Sequence, residues 1–294
     1  EYVVGMMEKD PELSIAGATK LACVECNMPY KDTVRRSVSR LLERQVADTV
    51  VESSELFLDA KLKETEDKQT FLISWAQNAT PIHKNFMSNL KAYANDLDAG
   101  LHIVAGRYSN PTSVFADKEQ DWWSPQVVPY LDAARHNIHE YMQILSDVKI
   151  PPTASTPLSG LNSITGLESC IVGHPRQQVK SLPILDGYPH KLLLSTGACT
   201  VANYTDSKSG KKGEFHHSIG FTIIELDEEN FHVRQVSADD EGNFYDLFKR
   251  VKNGKVLNNE EGAEVAVLGD IHIAHNDKRA TAASFKLLDE MKPK

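Results

Sequence analysis

An α/β fold behind a helical head is what this sequence predicts, and three observations predict it. Within residues 1–47 an arginine-rich helical pattern follows a proline-broken turn. Residues 70–105 then run as apolar strand, polar loop, helix-spaced apolar residues and a second apolar strand. Near the other end, Val265-Ala-Val-Leu268 leads straight into Gly269-Asp270-Ile-His272.

In the head, Glu8 to Ser14 reads as a turn, Ile15 to Val24 as a short helix, and Asn27-Met-Pro29 as its interruption. Asp32 or Thr33 then caps a helix with Val34, Val38, Leu41 and Leu42 on one face and Arg35, Arg36, Arg40 and Arg44 on the others. Short helices with an arginine-rich last member resemble a winged helix-turn-helix, and those four arginines are the expected DNA-binding residues. The competing reading is a small bundle whose arginines are solvated or meet another subunit. Residues 48–69, richer in acids than in lysine and without apolar periodicity after Leu62, form an acidic connector.

A central α/β domain is expected over 70–260. Thr70 to Trp75 is β-rich, Lys84 to Leu97 places Phe86, Met87, Leu90, Tyr93, Ala94 and Leu97 at helical spacing, and Leu101 to Ala105 returns as a strand. That order predicts a parallel pair joined by a right-handed crossover. Gln77, Asn78, Thr80 and His83 then share one sheet edge with Arg107, Tyr108, Asn110 and Thr112, the edge at which open α/β sheets bind ligands. Trp122 and Trp123 are expected packing anchors, Val127 to Leu145 a helical region, and the prolines of Ile150 to Pro157 impose an extended loop. Ser169 to Pro175 reads as strand then turn, and further strands follow at Lys191 to Ala198, Ser218 to Leu226 and Asn230 to Val236.

Between these strands, Lys208-Ser-Gly-Lys-Lys-Gly-Glu-Phe-His-His217 reads as a glycine-turned cationic loop. Lys211, Lys212, His216 and His217 are its substrate-binding candidates, joined by His174 and Arg176 after the Ser169 strand. It lacks P-loop spacing. The alternative is a charged hairpin loop.

Composition limits the functional classes. With 294 residues, 41% hydrophobic and 25% charged, the chain has room for two or three domains. No apolar run reaches bilayer length and the first residues carry no signal pattern, so a cytoplasmic protein is expected, in the host cytoplasm if phage-encoded. Cys23, Cys26, Cys170 and Cys199 are too sparse for a disulfide scaffold, although Cys23 and Cys26 also fit half a zinc site or a redox pair. The net charge of −9 argues against a nucleic-acid coating protein, not against a nuclease whose metal site is itself rich in carboxylates.

In an extended backbone Asp270 and His272 point the same way, offering one ion a carboxylate oxygen and an imidazole nitrogen. The bland alternative is a buried strand whose aspartate caps the next helix, Ala280 to Met291. Gly269-Asp270-x-His272 after an apolar strand resembles the first motif of the calcineurin-like metallophosphoesterases. That resemblance implies that 261–294 begin such a domain and that Asp270 and His272 are catalytic metal ligands for Mn2+ (or Mg2+) within a two-ion site. The family's later ligand motifs would fall beyond Lys294, so a longer chain is expected. Gly173-His174 resembles the family's Gly-His motif but precedes Asp-x-His instead of following it. Taken together, the helical head, the Gln77-Asn-x-Thr-Pro81, Arg107-Tyr-x-Asn-Pro-Thr112 and Lys211-Lys-Gly-Glu-Phe-His-His217 loops and Gly-Asp-x-His resemble pre-early proteins of T5-like phages. Those act in DNA transfer and host-DNA degradation. The resemblance implies a metal-dependent DNase with DNA as partner. The alternative is a non-catalytic DNA-binding, regulatory or assembly protein, and the aromatic-rich middle domain suits a homo-oligomer.

Overall fold

The structure, a computed structural model, describes residues 68–113, 115, 122–185, 188, 190–227, 230–258, 263–269 and 276–293. The helix-turn-helix reading, nearly all of the connector, and Asp270 and His272 lie outside the described residues.

Strand β1 (Thr70–Gln77), helix α1 (Lys84–Asp96) and strand β2 (Gly100–Gly106) form the expected unit, with β1 and β2 parallel from Phe71↔Gly100 to Gln77↔Gly106. Both strands are buried on both faces, which is why their sequences are apolar almost without alternation. Helix α1 starts where His83 Nδ1 accepts from the Phe86 amide, and it buries Phe86, Met87, Leu90 and Tyr93.

Next come β3 (Leu131–Asp132), β4 (Arg135–His139), β5 (Met142–Leu145), β6 (Ser169–Val172), β7 (Val179–Leu182) and β8 (Lys191–Ser195). Helix α2 (Lys208–His216) precedes β9 (Gly220–Leu226), β10 (Phe231–Ser237), β11 (Phe244–Asp246), β12 (Lys249–Lys252) and β13 (Lys255–Asn258). Helix α3 (Lys278–Met291) comes last. The fold is therefore mixed α/β, with three sheets among the described residues, ordered β10-β9-β1-β2-β3, β4-β5-β6-β8-β7 and β11-β12-β13. Among the described residues no helix is long and apolar enough to cross a membrane.

The two large sheets pack face to face. Phe71, Ile73, Trp75 and Val104 of the first meet Met142, Ile144, Ile171 and Leu194 of the second. The opposite face of the first sheet, through Leu72, Ile103, Phe221 and Ile223, packs with α1 and with Phe244 and Val251 of the small sheet. Beyond the second sheet, Cys170, Val172 and Leu193 are covered by Leu158 and Leu161 from the proline-rich loop region.

Three local expectations are corrected. Val127 to Leu145 is not helical: Val128–Tyr130 makes one 3-10 turn, and then β3 and the β4–β5 hairpin follow. The apolar spacing arises from separate strand segments, each buried against a different neighbour. Lys208–His216 is a helix, not a glycine turn. Ser207 caps it by accepting from the Gly210 amide, and Gly210 permits backbone contact with Thr205, whose carbonyl a Cβ would strike. Val265 to Gly269 joins no sheet among the described residues, and Val265 and Val267 are 72% and 87% exposed.

Candidate functional site at the strand ends

Strands β1 and β2 end side by side, and their following loops fold over the same edge, as the sequence pattern anticipates. Asn78 Oδ1 accepts from the Tyr108 amide at 2.7 Å, tying the two loops together. The segment after β8 completes the group. Thr200 Oγ1 accepts from the Gln77 amide (3.1 Å), and Gln77 Nε2 donates to the Asn203 carbonyl (2.7 Å). Asn203 Nδ2 donates to Thr80 Oγ1 (2.9 Å), while Asn203 Oδ1 accepts from Asn110 Nδ2 (3.0 Å). Gln77 Oε1 is buried and meets no donor among the described residues, leaving an acceptor for a ligand or a water. This is a neutral array of amides and hydroxyls.

Around it stand the cationic candidates. His217 follows α2; its Nε2 donates to the Thr200 carbonyl at 2.8 Å, so its Nδ1 accepts from the Tyr204 hydroxyl at 2.6 Å. Burial pulls the His217 pKa down to about 4. His174, fully buried after β6, has the same tautomer for the same kind of reason: Nε2 donates to the Pro151 carbonyl (3.3 Å) and Nδ1 accepts from the Arg176 amide (3.0 Å). Burial brings its pKa to about 4, with Arg176 and His217 adding repulsion. Both ring nitrogens of both histidines are thus engaged by protein groups.

His216 differs. Its protonation is disfavoured first by burial and then by the charges of Arg176 and Lys212, which places these three candidates in one electrostatic neighbourhood. Arg176 is braced by a hydrogen bond from its guanidinium to the Ser155 carbonyl. Lys211 pairs with Glu214 at 2.8 Å on the exposed side of α2. The structure therefore gathers His174, Arg176, Lys212, His216 and His217 between β6 and α2, with the buried His174 and the half-buried, hydrogen-bonded His217 as supports. Asn203, Tyr204 and Thr200, which hold the array together, carry no sequence signal beyond being polar residues after a strand.

Among the described residues no group of three or more His, Cys, Asp and Glu side chains is placed to hold a metal ion. Asp270 and His272 have the donor chemistry for manganese, and α3 follows them closely, with Asp277 as its N-cap.

No protein-family model matches the chain. Among solved structures, Vps29 of Chaetomium thermophilum aligns with 60% of this chain and 94% of its own at 13% identity and a TM-score of 0.28, from which no shared fold follows. Protein A1 of Escherichia phage T5 is 28% identical over 292 residues, covering 92% of this chain and 50% of that protein. The chain is accordingly similar along most of its length to a T5 phage protein, of which it spans about half.

Proposed function

We propose that this chain is part of a metal-dependent DNA phosphodiesterase of a T5-like phage, with its metal ligands beginning at Asp270 and His272. The observation that carries the reading is the donor pair itself: a carboxylate and an imidazole two residues apart, directly after Gly269, in the form that resembles the first metallophosphoesterase motif. Asp270 and His272 would hold one Mn2+ (or Mg2+) ion, with further ligands supplied outside the described residues. A bound ion there supplies an activated water, by lowering its pKa from roughly 16 towards 7, together with charge neutralisation at phosphorus. Arg176 and Lys212 support the reading as two cations, beside His216, able to hold substrate phosphates.

Plasmid and linear-duplex digestion with manganese, magnesium or chelator tests it, using the longest available form of the protein beside the 294-residue chain. Manganese-dependent degradation that Asp270→Ala lowers by about 100-fold or more is expected. Loss of DNA retardation, rather than of cleavage, in Asp270→Ala would count against a ligand role.

One observation favours a second reading. The strand-end array of Gln77, Asn78, Asn110 and Asn203 is neutral, so the described α/β part suits a binding or assembly role better than catalysis. DNA retarded on a gel but uncut in every metal would establish that reading, and sedimentation at micromolar concentration would show whether copies associate.

A further inference from the structure

We infer that the outer face of the small β11-β12-β13 sheet is a binding surface for single-stranded nucleic acid. The inner face is fully committed. Phe244 and Val251 enter the core, Lys249 lies 3.6 Å from Asp96, and Asp246 accepts from the Tyr93 hydroxyl and from Arg234. Alternation along paired strands therefore sends Tyr245, Arg250 and Leu257 outward as one row, since Tyr245 pairs with Arg250 and Arg250 with Leu257. Lys252 and Lys255, also paired across strands, form the next row. Phe248, in the turn between β11 and β12, borders the face.

Two features mark this face. Phe248 to Lys255 holds four cations and no acid in a protein of net charge −9. Tyr245 and Phe248 are 50% and 41% exposed, although aromatic rings ordinarily bury. The Arg250 guanidinium lies 5.4 Å from the centre of the Tyr245 ring, so ring and cation form one platform. Among the described residues neither Lys252 nor Lys255 is in an ion pair. Asp239, the acid whose charge Lys252 feels, already accepts hydrogen bonds from Asn243 and Glu241. Two like charges set directly opposite each other repel, and an anion between them relieves that repulsion. A stackable ring beside a pair of lysines is the chemistry that takes unpaired bases and their phosphates in turn. A duplex offers no free base face to Tyr245, which decides for a single strand.

The surface is separate from the strand-end site and needs no metal, so its failure and that of the phosphodiesterase reading are distinguishable. Fluorescence anisotropy in EDTA, with a labelled 20-nucleotide oligodeoxythymidylate at about 50 mM salt, measures it. Lys252→Glu with Lys255→Glu should weaken binding by about ten-fold or more, and the salt dependence of log K should flatten by about 1.4, the loss of two single-strand phosphate contacts. Tyr245→Ala should weaken binding several-fold with an unchanged salt slope, since stacking carries no counterion release. Unaltered melting temperatures would show that the variants fold. Unchanged affinity in both variants, no binding by the native chain, or equal affinity for a duplex would each overturn the inference. So would a dimer that Tyr245→Ala dissociates, because the face would then be covered by a second copy.

Discussion

His174 and His217 show how a residue chosen for reactivity can be a support instead. Each donates from Nε2 to a carbonyl and accepts at Nδ1, a pattern only the neutral ring satisfies. Burial holds both folded pKa values at about 4, below the ordinary 6.5. The sign follows from linkage. Above pH 6.5 both rings are neutral in folded and unfolded chains, so stability does not change; below it the unfolded chain takes up protons that the folded one refuses. The melting temperature should therefore be flat from pH 8 to about 6.5 and fall between 6.5 and 4, as stability drops by on the order of 3 kcal/mol per histidine at the acid limit. A flat profile across that window in a pH series of thermal melts would contradict the assignment. The sequence makes the His216-His217 pair visible but not its division of labour. Which ring turns inward depends on Tyr204 and Thr200, residues that arrive from a different loop.

At the scale of elements, legibility tracks how much of a segment's pattern is local. The β1-α1-β2 unit could be read because its apolar runs are long and α1 has a clear helical stripe. Helix α2 could not. It has two glycines and buries only Gly210 and Gly213, so its stability comes from the Ser207 cap and from close packing on Thr205 and Tyr204 rather than from an apolar face. The β12–β13 hairpin does carry a local signal, Asn253-Gly254, with both residues in the left-handed region at φ 51° and 70°. Gly254→Ala should cost roughly 1 kcal/mol through that backbone strain, more if Ser88, whose hydroxyl would lie 2.9 Å from the new Cβ, cannot move. Denaturant melts of the two proteins check this, and an unchanged midpoint would argue that the turn relaxes to another type.

The whole molecule is a pair of sheets that share more than apolar contact. Asp132, on the β3 edge of the first sheet, accepts from Nε2 of His136 on β4 of the second (2.8 Å) and from Ser146 Oγ just after β5 (2.8 Å). His102 of β2 stands 3.8 Å away. Burial opposes its ionisation, yet the neighbouring His102 ring and the hydrogen-bonded His136 outweigh that and hold the carboxyl well below the usual range. Asp132→Ala removes a charge that several buried donors were placed to meet. A loss of about 3 kcal/mol or more is expected, read by chemical denaturation, with Asp132→Asn intermediate because it keeps one acceptor. A neutral result would show that the sheets are held by their apolar faces alone. The weld was not legible beforehand, since Asp132 and His136 fall within the segment whose spacing suggests a helix.

Strand β1 has a neighbour on each side from very different parts of the chain. Strand β2 begins within thirty residues, but β9 is formed by Gly220–Leu226, more than a hundred residues after β2 ends. During synthesis the β1–β2 pair therefore emerges with one apolar edge open until β9 leaves the ribosome, an interval of roughly ten seconds at ordinary elongation rates. A strand buried on both faces in the finished protein is, for that interval, the surface most exposed to mispairing with a neighbouring nascent chain. The same central position that lets β1 carry loops to the candidate site makes the birth of this protein dependent on its timing.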